Sequence, residues 1–88
     1  MDNVLLVWTK GENQESAKSK IKAALKRNYM IDVTDELEFA LDDEAGGRVA
    51  IEFEKRNTLV IKIKADYPWE AIAVYELVTS VFYSEDEV

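Results

Sequence analysis

Between Glu36 and Lys64 polar and apolar residues alternate in three runs, residues 36 to 42, 48 to 54 and 58 to 64, separated by short polar links. The apolar positions are Leu37, Phe39 and Leu41, then Val49, Ile51 and Phe53, then Leu59, Ile61 and Ile63. A period of two sends alternate side chains to opposite faces of a strand, so these residues are expected to line one core face of an antiparallel three-stranded meander. The links "DEAGG" and "KRN" have hairpin length, and Gly46 and Gly47 suit a turn that needs positive φ.

The flanking segments follow other periods. Val4 to Trp8, "VLLVW", is a continuous apolar run closed by "TKGEN", which reads as a central strand covered on both sides. Residues 14 to 28 predict a helix: Ala17, Ile21, Ala24, Leu25 and Tyr29 fall on one face, Asn13 is placed to cap it, and Lys26 and Arg27 complement the dipole of its last turn. "YMIDV" fits a short strand and a run into the hairpin equally well.

In "DYPWEAIAVYELVTSVFY", Asp66 is a candidate cap, with Pro68 and Glu70 in the first turn of a second helix. The half "VTSVFY" has strand-like composition, but Ala71, Val74, Tyr75, Val78, Val81 and Phe82 make a continuous helical stripe. Trp69, Ile72, Ala73 and Leu77 widen that stripe and leave Glu70, Glu76, Ser80 and Tyr83 as a narrow polar arc. A helix this apolar is expected to be buried on two sides, either between the first helix and the sheet or against a second subunit in a homodimer.

The expected fold class is therefore α+β: a two-layer sandwich of order β-α-β-β-β-α, with an antiparallel meander sheet and two helices on one face. Residues 1–88 are expected to form one domain, with 84–88 a frayed acidic tail.

Charge and missing residue types narrow the functions. Eighteen acids against eleven bases give a net charge of -7, which disfavours nucleic acid and anionic lipid and favours a basic partner. The chain has no cysteine and no histidine, which removes thiol nucleophiles, thiolate zinc sites and the commonest general base. The N-terminal "MDNVLLVWTKG" has no basic n-region and too short an apolar run for a signal peptide or a membrane span, so the expected address is the cytoplasm.

Hairpin length also predicts a register. Closing the first turn at Asp42 and Arg48 sets Glu38 opposite Glu52 and Glu36 opposite Glu54; closing the second at Glu54 and Thr58 sets Lys62 beside Ala50 and Lys64 beside Arg48. The uncovered face is then divided, with Glu36, Glu38, Glu52 and Glu54 at one end and Arg48, Lys62 and Lys64 at the other. Opposed like charges cost about 0.2 to 1 kcal/mol per pair, so mild acid and Glu38→Gln are both expected to stabilise the fold.

The candidate site is that acidic end, docking a basic protein surface. Lys18, Lys22 and Lys26 recur every fourth residue on the first helix and form a secondary basic patch. Asp42, Asp43 and Glu44 share a loop but lack the spacing of a calcium loop, so no metal is expected. A small sheet offers little room for a catalytic pocket, so neither enzyme activity nor a cofactor is expected. The expected function is a non-catalytic protein-interaction domain. The alternatives are an inhibitor that imitates nucleic acid and occupies a nucleic-acid-binding protein, and a nucleic-acid binder using the first helix.

Overall fold

The computed structural model describes residues 1–42, 44 and 46–83. Its elements are β1 (Asn3–Trp8), α1 (Gln14–Tyr29), β2 (Glu38–Phe39), β3 (Val49–Arg56), β4 (Thr58–Ala65) and α2 (Pro68–Phe82). The strands form one antiparallel sheet of order β1-β4-β3-β2, and both helices pack against it.

The period-two positions behave as expected. Leu37, Phe39, Val49, Ile51, Leu59, Ile61 and Ile63 are buried, and Leu41 and Phe53 pack partly buried against the core. Ala17, Ile21, Ala24 and Leu25 of α1 and Ala71, Val74 and Val78 of α2 are buried with them, while Tyr29, at the end of the α1 stripe, stays exposed. Asn13 caps α1 by accepting a hydrogen bond from the Ser16 N–H at 2.8 Å. Met30 closes the helix in the left-handed region at φ 59°.

Four expectations are corrected. β1 is an edge strand, paired only with β4. Its Leu5 and Val7 face the helices, whereas Val4 and Trp8 are exposed. Asp66 does not cap α2: the cap position is Tyr67, with no side-chain bond, and the Asp66 carboxylate accepts from the Arg48 N–H at 2.8 Å. Glu70, placed in the polar arc, is fully buried.

The fourth correction is the register. β2 spans only two residues, because Leu37 adopts φ 54° and its N–H closes a turn onto the Thr34 carbonyl at 3.0 Å. In the hairpin that follows, Glu38 faces Ala50 rather than Glu52, and Phe39 faces Val49. The second hairpin runs two residues further than expected, through Arg56, and reverses at Asn57 with φ 67°. Asparagine tolerates that conformation well. Glu52 now faces Lys62, Glu54 faces Val60 and Ala50 faces Lys64.

Candidate functional site: the open face of the sheet

With the helices on one side, the even-numbered strand residues form the other face. Three rows cross it: Trp8, Val60 and Glu54; Leu6, Lys62 and Glu52; and Val4, Lys64, Ala50 and Glu38. An apolar strip on β1 thus borders a lysine column on β4 and a glutamate column on β3.

The glutamates do not confront one another. Glu54 is bound by Lys62 at 2.9 Å and Arg56 at 2.6 Å, Glu52 by Lys64 at 2.8 Å, and Glu38 by Arg48 at 3.6 Å. Glu36 stands apart, exposed in the turn before β2, with no ion pair among the described residues. The expected division into an acidic and a basic end is replaced by alternating charge, which removes the cross-strand repulsion.

At the Asn57 end, the Arg56 guanidinium lies 5.9 Å from the centre of the Trp8 ring, within cation–π range. Val60, flanked in the ladder by Trp8 and Glu54, is fully buried although it belongs to the uncovered face. Trp8 and Val4 each remain 46% exposed.

The hydrogen bond from Lys62 holds the Glu54 carboxyl below its ordinary pKa, with desolvation opposing and the charges of Arg56 and Lys62 assisting. A carboxyl whose folded pKa is depressed contributes stability above its unfolded value, near pH 4, and that contribution disappears as pH falls through the folded value. Glu54→Gln is therefore expected to melt slightly below the parent at pH 7 and to converge with it near pH 3. Thermal melts of the two proteins across that range check this; a variant that melts higher at pH 7 would contradict the ion pairing. Glu38→Gln is likewise expected to leave the midpoint level or slightly lower, where opposed glutamates would have raised it.

The basic stripe of α1 is also neutralised. Lys22 binds Asp35 at 2.8 Å, Lys26 binds Asp32 at 2.9 Å, Lys20 binds Glu12 at 3.0 Å, and Lys18 lies 3.9 Å from Glu15. The hydrogen bond and charge of Lys22, with the charge of Lys18, lower the Asp35 pKa. The segment between α1 and β2 thus supplies the counter-charges for Lys22 and Lys26.

Glu70 is the buried carboxyl group left without a partner among the described residues. Neither of its carboxylate oxygens has a hydrogen-bond partner, and both abut Gly47, where a Cβ would lie 2.5 Å from each. Its place in the first turn of α2 gives it the favourable field of the helix N-terminus. Its burial was legible from spacing, since Glu70, Val74 and Val78 recur every fourth residue along one face of α2.

Two grooves indent the surface. One, of about 360 Å³, runs between the free edge of β1 and the start of α2; the other, of about 430 Å³, lies between the end of α1 and β2 and is walled by Met30, Phe39 and Arg48. Among the described residues no cluster of three or more acids is arranged to hold a metal ion, and Asp43, one of the loop acids considered, lies outside them. No helix among the described residues is long and apolar enough to cross a membrane.

Val4, Leu6, Trp8 and Arg56 are the residues of this face that the sequence reading passed over. The first three belong to an apolar run with the pattern of a strand buried on both sides, and Arg56 to a link of turn length. Comparison of the chain with known protein families, curated proteins and solved structures finds no match.

Proposed function

We propose that the chain is a non-catalytic protein-interaction domain that engages its partner through the open face of the sheet. The observation that carries this reading is the exposure of Val4 and Trp8 on the face left uncovered by both helices. Tryptophan and arginine are enriched at the energetic centres of protein interfaces, where large side chains fill well-packed, desolvated pockets. The Trp8–Arg56 stack beside the apolar β1 strip has that composition.

Glu38, Glu52 and Glu54 contribute selectivity. Their carboxylates already pair with cations, yet each keeps oxygen lone pairs for a partner's lysine or arginine, and the net charge of -7 draws a basic protein surface from a distance. A backbone mimic would need carboxylates free of cations along the face, so the inhibitor of a nucleic-acid-binding protein is the weaker form of this reading. The ion pairs along α1 likewise weaken a nucleic-acid contact through Lys18, Lys22 and Lys26. Partner capture by the parent chain, by Arg56→Ser and by Ser19→Arg on α1 tests the proposal: the first substitution is expected to weaken capture strongly and the second to leave it intact.

A further inference from the structure

The two edges of the sheet differ. β2 presents two residues between a left-handed turn and a loop, which leaves almost nothing for another strand to pair with. β1 presents six extended residues, Asn-Val-Leu-Leu-Val-Trp, with no proline, lysine, glycine or inward charge to block pairing. Natural sheets guard long edges with such devices unless the edge is used.

Backbone direction shows what the edge offers. The Thr9 N–H donates to the Leu59 carbonyl at 3.0 Å, and antiparallel strands alternate inward and outward groups. Asn3, Leu5 and Val7 therefore bond to β4, and the N–H and C=O groups of Val4, Leu6 and Trp8 point outward from the sheet.

We propose that two copies of this chain pair antiparallel through β1 with Leu6 on the twofold axis, joining two four-stranded sheets into one of eight. The occupant is a second copy because the segment Asp2 to Lys10 is complementary to its own reverse. About Leu6, Val4 meets the partner's Trp8, Leu5 meets the partner's Val7, Asn3 meets the partner's Thr9, and Asp2 reaches the end of the interface that holds the partner's Lys10. Apolar meets apolar, polar meets polar and acid meets base. The two half-exposed side chains of β1, Val4 and Trp8, then touch side by side as an aromatic and β-branched cross-strand pair, with their outer surfaces still on the open face.

Neighbouring registers are poorer. A shift of one residue sets core-facing side chains against open-face ones. A twofold on Leu5 sets Trp8 against Asp2 and leaves Lys10 without an acid. The groove below the same edge, walled by Asn3, Leu5, Pro68, Ala71 and Ile72, lies under the ladder positions where the partner's Val7 and Thr9 arrive. Trp69, Ile72 and Tyr75 share a face of α2 and are 48%, 53% and 37% exposed. Ile72, which borders this groove, carries the contact onto the helix layer. The joined sheets also double the open face on which the proposed partner site lies, without using its glutamate column.

Sedimentation of the full chain over a concentration series tests the pairing. The parent is expected to dimerise. Leu6→Glu gains Lys62 as a neighbour within its own sheet but meets a like charge across the axis, and is expected to weaken the dimer by about tenfold or more. Asp2→Lys is expected to weaken it, and adding Lys10→Asp to Asp2→Lys is expected to restore it; both sites are exposed, so this pair remains informative if Leu6→Glu fails to fold. A parent that stays monomeric throughout, a dimer indifferent to Leu6→Glu in a folded variant, or a charge swap that fails to restore association would each overturn the proposal. Partner capture by the Arg56→Ser chain is read separately, so loss of dimerisation and loss of the face's function are distinguishable.

Discussion

Replacing Glu70 with methionine is expected to raise the stability of the fold by about 1 to 3 kcal/mol, a rise of roughly 4 to 8 °C in Tm per kcal/mol for a domain of this size. The carboxylate is completely buried and neither oxygen finds a donor among the described residues. Removing a carboxylate from water without a partner costs several kcal/mol, and only part of that is returned by the α2 N-terminus, whose field is worth about 0.3 to 1 kcal/mol. Methionine has a similar length and bends to irregular space, so it keeps the packing and removes the desolvation cost. Glu70→Gln should recover less, because the neutral amide is still a polar group without partners. Chemical denaturation of the three proteins checks the order; a Glu70→Met chain less stable than the parent would show that the carboxylate has a stabilising partner.

Gly47→Ala is expected to destabilise by about 1 to 3 kcal/mol, the usual cost of forcing an extra carbon into a filled space. The added Cβ would stand 2.5 Å from both Glu70 oxygens and 2.7 Å from its Cδ. An exposed glutamate would swing aside, but this one is enclosed by the core. The reduced freedom of the unfolded chain offsets about 0.4 to 1 kcal/mol at most. In a Glu70→Ala background the same substitution should be nearly neutral, so the pair should couple by about 0.5 to 3 kcal/mol in a double-mutant cycle. Strict additivity would remove Glu70 as the cause.

The close approach of Gly47 to Glu70 also shows where sequence pattern stops informing, since spacing along α2 places Glu70 inward but does not say what it meets. Period-two alternation identified the inward residues of β3 and β4, and helical spacing identified Ile21, Leu25, Val74 and Val78, because burial against one face imposes those periods. Register was hidden for a related reason. A slip of two residues returns every side chain to the same face, so the hydrophobic pattern is unchanged while Glu52 moves from Glu38 to Lys62. In the second hairpin the turn decided it, through positive φ at Asn57, a position without the glycine that would announce such a conformation. The β1 run concealed its position differently: an uninterrupted apolar strand reads as interior, yet here one side packs on helices and the other presents Val4 and Trp8 to solvent. Alternation made legible that Glu38, Glu52 and Glu54 share the helix-free face, but not the cations they pair with; these and the Trp8–Arg56 contact became visible only once the strand order was known.

The open face as the interaction surface is tested most directly by the affinity of a captured partner for three chains: the parent, Arg56→Ser and Ser19→Arg. Arg56→Ser removes the cation from the Trp8 ring and one of the two cations from Glu54 and leaves the core untouched, whereas Ser19 is exposed on α1 in the helix layer. Loss of an interfacial arginine of this kind costs about 2 kcal/mol or more, a fall in affinity of roughly thirtyfold. The account predicts that fall for Arg56→Ser and an unchanged Kd for Ser19→Arg. Equal affinity of the parent and Arg56→Ser, or a loss confined to Ser19→Arg, would contradict it.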